Sequence, residues 1–192
     1  MDYIKYIVDI STNFISSGGI LYGFIMIFIE SIIPILPLGV FVALNVNSFG
    51  TILGIGTSWI ATCLGCFLEY TFFKLIEKKY ISSHLNKRYL KRIMRGVDRF
   101  KKITFPELVL LITLPFTPAF LINIASGLAR VPKEKYVAAI LIGKMFMVTF
   151  WGYIGKSLLE SVTDLKSISF ILIALLLAYI ISKIVSKKMK IN

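Results

Sequence analysis

The sequence predicts an all-α fold: a polytopic integral membrane protein with two opposed re-entrant helical hairpins, an inverted repeat, and about three spanning helices. Three observations carry this. First, the 192-residue chain is 57% apolar, with a mean hydropathy of +0.81, yet its formal net charge is +12, from 22 Lys and Arg against 10 Asp and Glu. Long stretches hold no charge at all, so the basic residues are confined to a few segments, as in a membrane protein rather than a soluble basic one. Second, two Pro-x-x-Pro breaks, Pro34–Pro37 and Pro115–Pro118, interrupt charge-free runs at a spacing of 81 residues. Third, the charge pattern fits only one parity of membrane crossings. The composition excludes a disordered chain, a secreted disulfide scaffold and an ordinary cytosolic enzyme.

Residues 1–18 place Tyr3, Ile4, Ile7, Val8, Ile10 and Phe14 at near-helical spacing, which suits a short interfacial helix. Asp2, Lys5 and Asp9 do not make the basic start of a signal peptide. From Ile10 to Ile29 there is no charge; Glu30 interrupts, and Ser31 to Leu68 is again charge-free. Proline breaks the helical ladder and pushes the residue before it out of the helical region. Ile20 to Ile33 would then reach about 21 Å, and Leu38 to Val46 about 14 Å, at 1.5 Å per residue. Neither crosses a hydrocarbon core of about 30 Å. Residues 19–47 therefore read as a re-entrant hairpin, and Phe49 to Phe73 as the first spanning helix.

Residues 74–102 hold 11 Lys or Arg against Glu77 and Asp98. Ile81, Leu85, Tyr89, Ile93, Val97 and Phe100 recur every three or four positions, with Lys87, Arg88, Lys91, Arg92, Arg95 and Arg99 on the other faces. This is an amphipathic basic helix, over about 80–102, on an anionic membrane surface. Nucleic-acid binding is the rival reading, and tethering between membrane segments counts against it. Leu108 to Ala129 repeats the plan of the first half: no charge, a Pro-x-x-Pro break, then Asn123, Ser126 and Gly127 where Asn45, Ser48 and Gly50 follow the first. Tyr136 to Gly155, carrying Lys144, is the second spanning helix and Ser167 to Ser182 the third, before a basic tail. The domain plan is an N-terminal helix at 1–18, a membrane domain at 19–158 with halves of about 19–73 and 106–158, and a C-terminal helix and tail at 167–192.

Lys and Arg favour the cytoplasmic side. The 74–102 segment and the tail are both basic, so an even number of crossings separates them. That holds if 108–129 is re-entrant and the next two helices cross. The loop of Arg130, Lys133 and Lys135 then also faces the cytoplasm, and the neutral 156–166 loop faces outward. The two hairpins enter from opposite faces, the plan of a carrier whose site lies at the midplane. A multi-pass plasma-membrane protein with a cytoplasmic basic loop and C-terminus is the expectation.

Glu30 is the first residue that could carry chemistry. A carboxylate in an apolar zone is protonated, paired or in a water-filled cavity, so a proton- or cation-coupling role stands against a plain helix-end glutamate. Glu69 and Lys144, one on each spanning helix, could form an ion pair or line a headgroup path. Asn45, Thr113, Thr117 and Asn123 lie at or near the hairpin tips, where they could satisfy broken-helix backbone or help hold a phosphate at half-helix N-termini. Gly19-x-x-x-Gly23 and Gly50-x-x-x-Gly54 allow close helix contact. Cys63 and Cys66 form a C-x-x-C inside an apolar stretch, with the single His84 elsewhere, so packing thiols are expected and no metal or cofactor. No zinc-protease motif, Ser–His–Asp set or phosphate-binding loop occurs, so no enzyme is expected.

Phe28-Ile-Glu30-Ser-Ile-Ile-Pro34-Ile-Leu-Pro37 resembles the first hairpin of the DedA and SNARE-associated Golgi protein superfamily, with its VTT domain. Leu114-Pro115-Phe116-Thr117-Pro118 followed by Asn123-Ile-Ala-Ser-Gly127-Leu resembles the second, in wording closest to the late-Golgi-vesicle-protein branch. Tyr153-Ile-Gly155-Lys156 is similar to the Tyr-x-x-Gly-basic ending of the following helix. The likeness covers about 19–158. It implies movement of phospholipid or polyprenyl phosphate between leaflets, dependence on the proton motive force, and two facing re-entrant hairpins. Glu30 matches the family's intramembrane acid. Many members carry arginine where this chain has Thr113, and the second family arginine, near Pro118, has no equivalent here. Either lipid-phosphate recognition is lost or Lys144 supplies it. The expected partners are membrane lipids with anionic headgroups and a coupling proton; assembly with further copies is left open. Two other functions fit the sequence: a coupled small-solute carrier, and a membrane-organising protein acting through its basic helix.

Overall fold

A computed structural model describes residues 17–34, 38–80, 97–160 and 165–188. The expected 1–18 helix, Pro37 and most of the basic helix, including Lys87, Arg88, Lys91, Arg92 and Arg95, lie outside the described residues. What is described is helical, with no strand among it: α1 Gly19–Ile32, α2 Leu38–Phe49, α3 Thr51–Tyr80, α4 Phe105–Thr113, α5 Ala119–Leu128, α6 Lys133–Glu160 and α7 Leu165–Lys188.

The breaks follow from proline. Ile33, before Pro34, is extended at φ −125° and ψ 90°, and its N–H makes the last bond of α1, to the Ile29 carbonyl at 2.9 Å. Leu114, before Pro115, is extended in the same way, and α4 ends there. α1, α2, α4 and α5 run 14, 12, 9 and 10 residues, or about 13 to 21 Å, too short to cross about 30 Å of hydrocarbon. The two long helices carry apolar stretches of 26 and 25 residues, Thr51–Ile76 and Lys133–Ser157, each long enough to cross. α3 runs on to Tyr80, beyond the expected end at Phe73, because Lys and Glu near its end are good helix formers and no proline stops it. The third expected span, Ser167–Ser182, falls within α7, whose described apolar stretch is Leu175–Val185.

Two ends are held by local chemistry. Gly50 joins α2 to α3 at φ +79°, where a Cβ would be strained. At the start of α4, the Thr104 N–H and hydroxyl both donate to Glu107 Oε2 at 2.8 Å, holding that exposed carboxyl below the usual carboxylate range.

α3 and α6 form the central layer. Trp59 Nε1 donates to the Leu141 carbonyl, Cys63 Sγ to that of Ile140, and the Tyr136 hydroxyl to that of Cys66. Numbers rise along one helix as they fall along the other, so the two run antiparallel. The first arm of each broken pair packs on the long helix that follows it, α1 on α3 and α4 on α6. The second arms differ: α5 crosses to α3, while α2 lies against both α6 and α3. One apolar cluster, with Tyr70, Leu111, Ile122 and Tyr136, fills the α4–α5 end; a smaller one, with Ile27, Val42, Ala61 and Val148, fills the α1–α2 end. The end of the basic segment docks on the larger cluster through buried Val97, Phe100 and Ile103, leaving Arg99 exposed.

Candidate functional site

The two breaks meet. Between the clusters lies a cavity of about 240 Å³. Glu30, Pro34 and Leu38 reach it from the first broken pair, and Thr117, Pro118, Ala119 and Phe120 from the second. Cys66 of α3 and Lys144 and Met147 of α6 complete the wall.

Glu30 sits on the last turn of α1, 8% exposed, placed there by the stop that Pro34 imposes. Lys144 is 1% exposed at the middle of α6. Its Nζ reaches Met147 Sδ at 3.7 Å, a weak acceptor for an ammonium group. Among the described residues no ion pair within 4 Å links Lys144 to Glu30 or Glu69. An ammonium and a carboxylate thus share one cavity without closing on each other. In the first turn of α5 the Leu121 N–H bonds the Pro118 carbonyl at 3.1 Å, and Ala119 and Phe120 place that helix end, the positive end of its dipole, at the same cavity. The arrangement can receive an anionic group beside a proton-accepting carboxylate.

Glu69 has a different setting. Asn123 Nδ2 donates to its Oε2 at 2.7 Å, and the Tyr136 hydroxyl donates to Asn123 Oδ1 at 2.8 Å. Tyr136 stacks on Tyr70, with ring centroids 4.1 Å apart, and the Tyr70 hydroxyl donates to the Val131 carbonyl at 2.6 Å. This network fastens α5 to both long helices, with Glu69 as the terminal acceptor.

The remaining hairpin residues divide by position. Thr117 and Pro118 line the cavity, and Pro115 shapes its turn. Thr113 bonds back to the Val109 carbonyl at 2.9 Å. Asn45 lies near the far end of α2, where its Nδ2 donates to Ser58 Oγ at 3.2 Å. Gly127 lets α5 approach α3: a Cβ there would lie 2.6 Å from the Tyr70 carbonyl oxygen. Sequence reasoning missed Cys66 and Met147 as cavity residues, and Phe116, Trp151 and Ser182, which brace the second turn.

The two halves make matching contacts. A Cβ on Gly65 of α3 would meet Ser31 Cβ at 2.6 Å and the Phe28 carbonyl at 3.1 Å. A Cβ on Gly143 of α6 would meet Ile112 Cγ2 at 2.7 Å and the Val109 carbonyl at 3.2 Å. Phe28 and Ser31 stand 81 residues before Val109 and Ile112, and Gly65 stands 78 before Gly143. The same shift of 78 relates Cys66 to Lys144, so the cavity takes one corresponding position from each long helix; it also relates Met147 of the wall to Glu69, which is not part of it.

The VTT domain family matches residues 36–157. The uncharacterized membrane protein YhjE of Bacillus subtilis (strain 168) is 30% identical over 171 residues, covering 86% of this chain and 80% of the relative. The uncharacterized protein YqeD of the same strain is 28% identical over 177 residues, covering 86% and 81%. No solved structure matches. With matched family positions running from the end of the first break through α2, α3, the second break and most of α6, the chain belongs to the VTT-domain, or DedA, family of membrane proteins.

Proposed function

We propose that the protein moves a lipid with an anionic headgroup between membrane leaflets, with Glu30 taking the coupling proton and Lys144 receiving the headgroup. The observation that carries this is the cavity at the meeting of the two breaks, with a buried carboxylate and a buried ammonium that do not close on each other. Glu30 and the anion compete for one ammonium. With Glu30 protonated, Lys144 and the positive end of α5 are left to the headgroup; with Glu30 ionised, Lys144 is neutralised from within. No covalent bond changes, so the protein is a carrier and not an enzyme.

The short paired helices are read as re-entrant hairpins, because neither arm spans a bilayer. The antiparallel long helices and the matching Gly65 and Gly143 contacts support an inverted repeat. With the basic 74–102 segment and the tail on the cytoplasmic side, the chain is placed in the plasma membrane as a multi-pass protein. Lost family arginines at Thr113 and near Pro118 make Lys144 the cation for phosphate.

Reconstituted protein is expected to exchange a fluorescent anionic phospholipid between leaflets under an inward proton gradient. Glu30→Gln is expected to abolish the gradient dependence, and Lys144→Ala to slow exchange at least tenfold. Wild-type protein that exchanges no anionic lipid, or Lys144→Ala that exchanges at the wild-type rate, rejects the proposal. A cavity of about 240 Å³ also admits a whole small solute, so the second reading is a proton-coupled small-anion carrier. Solute-dependent proton flux without lipid exchange would select it.

A further inference from the structure

We propose that α7 is a strut that keeps the 114–118 turn seated on the cavity, and that its release opens the cavity on that side. The two arms of the second broken pair diverge, α4 onto α6 and α5 onto α3, and scarcely touch each other. The turn between them therefore spans a gap. Inside the turn, the Thr117 N–H donates to the Leu114 carbonyl at 3.2 Å. Its outward contacts reach α6 and α7. The Phe116 ring meets Trp151 of α6 edge-on at 5.8 Å and Tyr179 of α7 edge-on at 5.9 Å. The Thr117 hydroxyl pairs with the Ser182 hydroxyl across 3.2 Å, both residues being buried. Thr117 is also cavity wall, so α7 is one hydroxyl pair away from the site.

α7 is built to detach. Among its described side chains only Ser182 is buried, at 3% exposed, while Leu176, Leu177, Ile180, Ile181 and Ile184 around it are exposed. In a bilayer, apolar side chains gain little by leaving lipid for protein, so a helix is held by its polar bonds and close packing. For α7 those are the hydroxyl pair, the ring edge and half-buried Val185 against the larger apolar cluster. α7 also lies beyond the family-matched segment, which ends at 157.

The strut goes beyond the lipid-moving reading and is tested without it. Cys63 and Cys66 are the chain's two cysteines, so Cys63→Ala leaves Cys66, in the cavity wall, as the single thiol of the full-length protein. N-ethylmaleimide modification of Cys66, in reconstituted protein, is read by mass spectrometry. Ser182→Ala and Thr117→Val are each expected to speed it at least tenfold, and Ser182→Thr, which keeps the hydroxyl, to restore the parental rate. Oxidised Thr117→Cys/Ser182→Cys protein is expected to label at Cys66 at least tenfold more slowly than the parent. Equal rates in the cross-linked and parental proteins overturn the strut. So does acceleration by Ser182→Ala that Ser182→Thr does not reverse, since that would be a packing defect. Labelling differences in a protein that exchanges no lipid keep the strut and remove the lipid reading.

Discussion

Glu30 and Glu69 read alike in the sequence, each a lone acid closing a charge-free run. The structure separates them by their partners. Glu69 accepts from Asn123, which in turn accepts from Tyr136, so its carboxylate completes a network between helices. Glu30 faces a cavity shared with Lys144. Asn123→Leu removes the buried donor to Glu69, an effect of about 1–3 kcal/mol, while the Tyr136 hydroxyl keeps the Cys66 carbonyl as its acceptor. It is expected to lower the thermal midpoint of the purified protein by several degrees. Glu69→Gln keeps an acceptor for Asn123 and is expected to preserve both the midpoint and lipid exchange, in contrast to Glu30→Gln. Equal loss of exchange in the two variants would mean that Glu69 belongs to the transport path. Nothing in local sequence distinguishes these acids, because the donor that singles out Glu69 comes from Asn123, 54 positions away in the chain, itself held by Tyr136, 13 positions farther on.

At the scale of elements, the ends of the short helices were legible. Proline restricts the residue before it, and α1 and α4 stop within a residue of Pro34 and Pro115. The glycines that matter were less so. Gly19-x-x-x-Gly23 and Gly50-x-x-x-Gly54 stand out as motifs, yet Gly65 and Gly143, outside both, mark the matching contacts of the two halves. Gly65→Val and Gly143→Val each force a side chain into a neighbouring helix and are expected to destabilise by about 1–3 kcal/mol. Gly56, which has nothing within 4 Å of its Cβ position, provides the control: Gly56→Ala is expected to be neutral or mildly stabilising. Thermal midpoints in one detergent measure all three. A destabilised Gly56→Ala with intact Gly65→Val would reverse this assignment of close contacts.

For the whole molecule, charge carries the topology. Residues 74–102 contribute +9 and residues 183–192 contribute +4 to a chain whose total is +12, so the remainder is nearly neutral. Single cysteines introduced near residue 160 in a cysteine-free background are expected to react with an impermeant reagent added outside cells. Cysteines at 133–135 should react only after permeabilisation, and reaction of both from one side would overturn the opposed hairpins. By itself the sequence determined the all-helical membrane class, the two breaks and the identity of the buried charges, because hydropathy and proline geometry are local properties. Only the tertiary structure decided how those charges are used. Packing of α1 on α3 and of α3 on α6 brings Glu30 and Lys144, 114 residues apart, to one cavity, while the crossing of α5 to α3 fastens Glu69 to Asn123. Long-range packing sets that distance, and no periodicity within either segment encodes it.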